Sequence, residues 1–491
     1  MVQEKRTSQI IQSAFTMLSQ MMGSSILAFP FVVNKIGWVL TAIILFHSVA
    51  SMLFCMHYYI EAAYYTRALS YKDLTSKLLG KKIAVLLDVS LILSNYGFMV
   101  AYVIVSSRGV ITFVLNRFHY TMNSYAVKVV IAFGIMFPLT LLKSLKQLAK
   151  ISTVAGMIIF VFVFTVVAYF FIGLKKQVLC TIEDANGPHD ITYGLPAFPR
   201  TSGIMGFLYF VMYLPSIHGN FSCHPVIPRF LKELVAAYPQ RKRMLVIALR
   251  LAIGAVCICL CLTGFMGAAM FGADIQQNIL NGLGLCKFVW IDILSLLYAL
   301  VVIINFPLVL YPLKTSIVQT LGHQIETPKG YKISILVDLA FVICALLLAL
   351  FLETIVSIFG LFASIAGFFY YFVMPFYFFI VHKKLQGENS HVDNEQDPET
   401  QQAAIQQARE QVIQHAAEIT ESQSANVQLV LEARIPQVTS EDVQNSTRPI
   451  AQPVQVTKNR KIVGYLLMFV YFCICLEGVV MNMGDVIESF K

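Results

Sequence analysis

The chain has 491 residues, of which 57% are hydrophobic and only 13% charged, and its mean hydropathy is +0.70. A composition this apolar excludes an ordinary soluble protein. The net charge of +9 is not gathered into a basic stripe with interleaved aromatic side chains, so it does not indicate a nucleic-acid partner.

Eleven apolar segments approach or exceed the length of roughly 20 residues that a helix needs to cross a bilayer. They lie near residues 14–34, 39–64, 83–107, 126–145, 152–174, 203–226, 244–271, 288–312, 333–352, 355–382 and 462–482. The apolar runs are continuous and lack the alternation of membrane β-strands. The sequence therefore predicts an all-α membrane protein with eleven transmembrane helices.

The basic residues predict the orientation of these helices. Most of the 36 lysine and arginine residues fall in loops on the same side as the N-terminus. Positively charged loops are typically cytosolic, so the N-terminus is predicted to be cytosolic and the C-terminus extracytosolic. No cleavage site follows a short apolar core, so the first helix is expected to stay uncleaved. A plasma membrane and a vacuolar or lysosomal membrane both remain open.

The first span is interrupted near its middle by the stretch "SQMMGSSILAFPF", residues 19–31. Gly23 is a poor helix former, and the hydroxyls of Ser24 and Ser25 compete for backbone hydrogen bonds. Pro30, about two turns further on, removes a helix donor. Backbone groups freed from a helix are costly in lipid unless protein, water or a ligand binds them, so such breaks usually line a cavity.

The sixth span, "YLPSIHGNFSCHPVIPRF", is interrupted in a similar way. Pro215, Gly219 and Pro225 bracket a polar core, which consists of Ser216, His218, Asn220, Ser222 and His224. The two interrupted spans are five helices apart, so the five-helix blocks that they begin have opposite orientations in the membrane. Paired interrupted helices at matching positions point to the binding site of a secondary transporter.

The ends of two half-helices favour a particular kind of solute. The N–H groups at the start of a half-helix suit a carboxylate, and the carbonyl groups at the end of another suit a cation or an ammonium group. A small zwitterion fits both ends at once. The alternative is that both breaks are kinks that serve packing alone, since small residues and prolines are common in membrane helices.

Several stretches, in chain order, carry a family resemblance. They are "GSSIL" (23–27), "YKDLTSKLLG" (71–80), "SNYGFMVAYVIV" (94–105), "PLTLLKSLKQL" (138–148), "SCHPVIPRFLKEL" (222–234) and "NFPLVLYPLK" (305–314). Together they resemble the amino acid/auxin permease family, especially its system A/N-type neutral amino acid transporters and their vacuolar relatives. The resemblance implies amino acid transport by an eleven-span protein with a 5+5 inverted repeat and broken helices 1 and 6.

This organisation divides the chain into five parts. They are a cytosolic tail (1–13), a transporter core (14–382, with repeats at roughly 14–174 and 203–382), a cytosolic Gln/Glu-rich linker (383–461), helix 11 (462–482) and an extracytosolic tail (483–491). The polar stretch 385–460 is interpreted as a regulatory linker or as a site for a cytosolic partner.

The resemblance also implies a substrate site. Gly23, Ser24 and Ser25 would form a cradle that faces an unwound stretch over residues 216–222 of the sixth span, with Ser216, His218, Gly219, Asn220 and Ser222. Tyr102 matches a third-span tyrosine and would reach the substrate carboxylate. A packed or interfacial aromatic is the alternative for Tyr102.

The coupling ion is less clear from sequence. Where sodium-coupled members carry Asn and Thr ligands, this chain has Ser19 and Asn305. Both side chains bear oxygen, yet the joint change favours a proton over sodium as the coupling ion. Candidate proton carriers are His47, His218 and His224, because histidine titrates near neutral pH and ionisable groups inside a membrane are often functional. Structural histidines held by hydrogen bonds are the alternative.

Two further predictions concern a disulfide and the class of protein. Cys180 and Cys286 fall in different outer loops, and a disulfide between them is possible. No nucleophile, metal cluster or phosphate loop stands in a motif context, so neither an enzyme nor an ATP-driven pump is predicted, and no cofactor or metal. An amino-acid-sensing receptor built on a transporter fold remains the alternative to a carrier.

Overall fold

The described chain begins with helices that account for the first five predicted spans. The computed structural model describes residues 2–142, 145–175, 177–184, 187–199, 203–325 and 327–351, with positions 374, 377–379 and 385. The first helices are α1 (Val2–Met22), α2 (Ser25–Ile36), α3 (Trp38–Thr66), α4 (Tyr71–Leu79), α5 (Lys81–Phe118), α6 (Ser124–Val129), α7 (Phe137–Thr140) and α8 (Leu145–Leu174). A wider π-helical turn, Val130–Met136, joins α6 to α7.

A β-hairpin separates these helices from the second group. Its strands are β1 (Val178–Asp184) and β2 (Gly187–Thr192). The later helices are α9 (Ile204–Gly219), α10 (Ile227–Glu233), α11 (Tyr238–Cys261), α12 (Gly267–Phe271), α13 (Ile279–Leu285), α14 (Val289–Thr320) and α15 (Pro328–Phe351). A π-helical turn, Leu262–Met266, joins α11 to α12.

The described residues contain some of the eleven predicted spans. Among the described residues, six helices are long and apolar enough to cross a membrane, and a seventh span results if α1 and α2 count as one. Residues 124–140 form a shorter apolar helix, and α9 has 16 residues. The predicted tenth and eleventh spans, 355–382 and 462–482, lie outside the described residues apart from a few positions of the tenth, so the count of eleven stays a prediction.

Helix α14 lies at the centre of the molecule. In its most apolar stretch 78% of the residues are buried, against at most 50% for the other long helices. It packs against α5, α8 and α15, and it contacts α1. The functional groups on α14 are therefore shielded from lipid on most sides.

The β-hairpin corrects the prediction of a purely helical chain. The strands pair in antiparallel fashion, with Thr181 opposite Asp190 and Ile182 opposite His189. The sequence "VLCTIEDANGPHDIT" carries a signal for it, because β-branched residues flank an Asn-Gly dipeptide that favours a tight turn. This loop is too polar to cross a membrane and too short for a stable helix, so the strands pair with each other.

The loop around the hairpin is tied to its neighbours at several points. Cys180 and Cys286 form a disulfide with their Cα atoms 5.7 Å apart. The backbone N–H of Trp38 donates to the carbonyl of Pro196 (3.0 Å), and that of Gly194 donates to the carbonyl of Ala269 (2.8 Å). The loop thus connects the start of α3, the end of α12 and the segment before α14.

Candidate functional site

The break in the first span lies between α1 and α2. The two helices are bent by 52° at this point. Gly23 has a φ of 31°, in the left-handed region that favours glycine. The hydroxyl of Ser25 donates to the carbonyl of Met22 (2.8 Å), which gives a partner to one carbonyl at the end of α1. The local sequence therefore accounts for the bend: glycine permits the turn, and serine caps the first half-helix.

Two buried tyrosines from other helices meet this junction. A Cβ atom on Gly23 would collide with the hydroxyl of Tyr102 on α5, so the tyrosine packs directly against the glycine. The hydroxyl of Tyr298 on α14 donates to the carbonyl of Gly23 (2.5 Å). Sequence reasoning found Tyr102 through the resemblance and missed Tyr298, since nothing in its surroundings distinguishes it among 22 tyrosines.

Two hydroxyls at the junction are available for a ligand. Ser24 and Tyr102 are both fully buried, and within the described chain neither hydroxyl has a hydrogen-bond partner. Leaving a buried polar group unpaired costs about 1–3 kcal/mol. A polar ligand at the junction would remove that cost, so the geometry is suited to binding.

Ser19 and Asn305 bind each other. The hydroxyl of Ser19 donates to Oδ1 of Asn305 (2.6 Å), and the amide nitrogen of Asn305 donates to the carbonyl of Ser19 (2.9 Å). The amide orientation is fixed because a backbone carbonyl can only accept. Both side chains are fully buried. The structure thus brings the two predicted coupling residues together and places an N–H group against the carbonyl of Ser19.

The break in the sixth span is shorter than predicted. The sequence predicts an unwound stretch over residues 216–222. In the structure, α9 continues through Ser216 and His218 to Gly219. Proline lacks only its own N–H donor, which leaves one backbone carbonyl of the preceding turn without its helical partner. The helix can therefore continue past Pro215 where the surroundings accommodate that carbonyl. Only residues 220–223 lie between α9 and the 3₁₀ turn His224–Val226 that leads into α10.

The backbone of this second break is largely paired. Asn220, Phe221 and Ser222 each donate an N–H to the carbonyl three residues earlier, at 3.1–3.2 Å. The side chain of Asn220 is buried, and its Oδ1 has no partner among the described residues. Asn220 is therefore the residue of this break with unused hydrogen-bonding capacity.

His218 points away from the first break and towards α3. Its Nδ1 lies 2.9 Å from the hydroxyl of Ser48 and its Nε2 lies 2.8 Å from that of Ser51. Ser51 donates its own proton to the carbonyl of Ser48, so it accepts from Nε2–H, and Ser48 then donates to Nδ1. His47 on α3 lies beside it, with ring centroids 5.6 Å apart. The arrangement is that of a structural histidine held by hydrogen bonds at both ring nitrogens.

His224 occupies a separate position. It is buried, its Nδ1 lies 3.4 Å from the hydroxyl of Ser222, and its ring meets the edge of Tyr59 with centroids 5.5 Å apart. The three candidate histidines therefore do not converge with Ser19 and Asn305 in a single cluster: His47 and His218 lie at the α3–α9 contact, and His224 begins the turn before α10.

A small polar cavity lies beside the first break. Its lining comprises Gln20, Leu91, Ser94, Asn95, Phe98, Ser222, Pro225 and Val309. The side chains of Gln20 and Asn95 are buried, and neither Oε1 of Gln20 nor Nδ2 of Asn95 has a partner in the described structure. Sequence reasoning missed both residues, although each is an amide within an apolar run. The cavity joins the α1–α2 region to Ser222 of the second break.

Comparison with known proteins gives these features a family. The family model for transmembrane amino acid transporter proteins matches residues 6–391. The sodium-coupled neutral amino acid symporter 2 of Danio rerio is 25% identical over 390 residues, which cover 75% of this chain and 74% of the relative. The human sodium-coupled neutral amino acid transporter 4 is 22% identical over 440 residues, covering 76% and 78%.

Solved structures show the same kind of fold at low sequence identity. Mhp1, a nucleobase-cation-symport-1 family transporter in a closed conformation with bromovinylhydantoin bound, matches with a TM-score of 0.51 and 12% identity over 76% of this chain and 79% of that chain. A mutant of the Eremococcus coleocola manganese transporter matches with a TM-score of 0.52 and 12% identity over 99% and 96%. The architecture is that of a helical membrane transporter.

The sequence, the architecture and the relatives agree. The predicted family is confirmed by a match that spans most of the chain, and the similar proteins are membrane transporters, not enzymes. The chain is a multi-pass membrane protein that belongs to the transmembrane amino acid transporter family.

Proposed function

We propose that this protein is a secondary active transporter of neutral amino acids that works by alternating access. The observation that carries the proposal is the α1–α2 junction. There a bend brings beside the backbone of Gly23 two buried hydroxyls that have no hydrogen-bond partner in the part of the chain that the structure describes. Broken membrane helices of this kind supply backbone groups to a solute. The sequence relatives, named as neutral amino acid symporters and transporters, support the choice of substrate.

The substrate's carboxylate is assigned to the start of α2. The first N–H groups of a helix have no intrahelical acceptor and carry a partial positive charge. The hydroxyls of Ser24 and Tyr102 add two donors at the same place. The ammonium group is assigned to the second break, where Oδ1 of Asn220 is an available acceptor. We retain the eleven-span, 5+5 inverted-repeat arrangement and the cytosolic N-terminus as parts of this proposal.

A proton is proposed as the coupling ion. A bound sodium ion requires oxygen ligands, whereas the amide N–H of Asn305 points at the carbonyl of Ser19. Sodium would have to break both hydrogen bonds between these residues. Sodium coupling is the second candidate, and the names of the two sodium-coupled relatives favour it.

Transport into proteoliposomes tests both parts. Purified full-length protein is reconstituted, and uptake of radiolabelled alanine, glutamine and leucine is measured with sodium or choline outside, with and without an inward proton gradient. Uptake that survives in choline and rises with the proton gradient supports the proposal. Strict sodium dependence would replace the proton by sodium, and binding without turnover would indicate a receptor.

A further inference from the structure

A groove on the outside of the molecule has no role in the transport site. It lies between α3 and α11 and has a volume of about 410 Å³. Its walls are apolar and comprise Val49, Leu53, Ile60, Val246, Leu249 and Ile253. Gly254 also lines it, and a Cβ atom there would meet nothing within 4 Å, so the groove is open at that point. The volume lies within the range of about 300–1,000 Å³ typical of ligand pockets.

The groove contains two basic side chains, Arg250 and His57. Arg250 is exposed on the surface of a membrane-spanning helix, and within the described chain it makes no ion pair or hydrogen bond. A permanent charge facing lipid is costly unless it reaches water or an anion. No acidic side chain lines this groove in the described structure, so an anion that pairs with Arg250 in the groove comes from outside this part of the chain.

The depth of these two residues can be read from a neighbouring ion pair. Lys242 on α11 and Glu61 on α3 lie 3.0 Å apart and join the two helices near one end of the groove. His57 is one turn from Glu61 along α3, and Arg250 is about two turns, roughly 12 Å, from Lys242 along α11. Long basic side chains extend towards the membrane boundary. We therefore expect the guanidinium of Arg250 to extend from its position on α11 towards His57 and the lipid headgroups.

We propose that this groove binds one anionic phospholipid from the leaflet next to the N-terminal end of α11. The phosphate pairs with Arg250, whose planar guanidinium makes two parallel hydrogen bonds to phosphate oxygens, and with His57. One acyl chain lies along the apolar walls towards Gly254. The occupant is a lipid and not a soluble anion because the lining of the groove is apolar except for its two basic residues, which suits an amphiphile.

Bound in this way, the lipid connects α3 to α11. It contacts both walls of the groove, so it stabilises the packing of these two helices in addition to the ion pair between Lys242 and Glu61. A ligand that binds only the folded protein raises the unfolding temperature, and the increase grows with the ratio of ligand concentration to Kd. Anionic phospholipid should therefore protect the protein against thermal unfolding, and this protection should depend on Arg250.

Native mass spectrometry of the full-length protein tests the proposal. Delipidated protein in detergent is mixed with dioleoyl phosphatidylglycerol or dioleoyl phosphatidylcholine, and bound lipids are counted. We expect one phosphatidylglycerol to be retained with a preference of roughly five-fold, as one basic residue beside a lipid of net negative charge gives. Arg250→Gln should lose this preference, whereas Arg243→Gln, a basic residue two turns away and outside the groove, should keep it.

A second variant separates the groove from simple charge attraction. Gly254→Leu fills the channel and leaves Arg250 in place, so it should lower the retention of both lipids and remove the gain in unfolding temperature. Ile258→Phe, a lipid-facing change one turn away, is the matched control and should retain lipid as the unmodified protein does. Equal retention of phosphatidylglycerol by the unmodified protein, Arg250→Gln and Gly254→Leu would overturn the proposal.

Discussion

The two helix breaks look alike in sequence and differ in the folded chain. At the first, Gly23 takes a left-handed conformation, and two buried hydroxyls beside it have no hydrogen-bond partner among the described residues. At the second, consecutive three-residue turns pair the backbone, and His218 is held by two serines of α3. Similar composition therefore gives one break that leaves two hydroxyls unpaired in the described structure and one whose backbone is mainly paired. The experiments below test that difference.

The largest effect is expected at the first break. Gly23→Ala places a side chain in a region that costs about 1–3 kcal/mol for non-glycine residues and against the hydroxyl of Tyr102. We expect uptake per folded molecule to fall roughly ten-fold or more. Gly219→Ala, at the end of a regular helix, is the matched change and should alter uptake no more than about two-fold. Equal losses in both variants would show that the two breaks are equivalent.

Tyr102→Phe should separate binding from packing. Its hydroxyl has no partner in the described structure, so removing it leaves no protein group unpaired and the unfolding temperature should not fall. The KM for substrate should rise roughly ten-fold, because a hydrogen bond to a charged group is worth about 1.5–3 kcal/mol. Tyr298→Phe is the comparison: it removes the donor to the carbonyl of Gly23, so its unfolding temperature should fall, unlike that of Tyr102→Phe. An unchanged KM in Tyr102→Phe would exclude a carboxylate contact.

Ser19→Ala tests what the pair with Asn305 does. Without the hydroxyl, Oδ1 of Asn305 is buried and unpaired, so the free energy of unfolding should fall by about 1–3 kcal/mol, and uptake should stay independent of sodium. Thr16→Ala, which removes another buried hydroxyl of α1 that contacts Ser152, is the control for stability. If Ser19→Ala alone abolishes a sodium-dependent uptake, the hydroxyl is a sodium ligand.

The smallest effect is expected at the second break. Ser51→Ala removes the acceptor of Nε2–H of His218 and should lower the free energy of unfolding by about 1 kcal/mol. Because this contact lies away from the α1–α2 junction, the KM should change less than about two-fold. A large rise in KM, or a shift in the pH dependence of uptake, would instead make His218 part of the transport site.

Sequence reasoning located the interruption of the first span because glycine, serine and proline act locally. It placed the end of the sixth-span helix too early, since whether a helix continues past Pro215 depends on what surrounds the freed carbonyl. It also missed Tyr298, which meets Gly23 across 275 positions of the chain. Contacts of that range depend on the packing of several helices, and no local pattern encodes them.

The amides beside the first break illustrate the same limit. Gln20 and Asn95 each resemble an ordinary polar residue in an apolar run, and only the fold shows that they line one cavity with Ser222. By contrast, the resemblance links Ser19 to Asn305, because both stand where sodium-coupled members of the family carry a sodium ligand. Their hydrogen bonds to each other depend on how α1 packs against α14, and only the fold shows them.

The loop around the hairpin has a mechanical consequence. It is fastened to Cys286 by a covalent bond and to Trp38 by a backbone hydrogen bond, so it forms a strap between the start of α3 and the segment before α14. Part of the strap is folded back on itself as the hairpin. If the paired strands separated, the strap would become longer. We therefore expect the strap to limit how far the start of α3 can move from the segment before α14. Deleting one pair of opposed residues, Thr181 and Asp190, should reduce this movement, which distances between spin labels at the exposed positions Trp38 and Val289 would report.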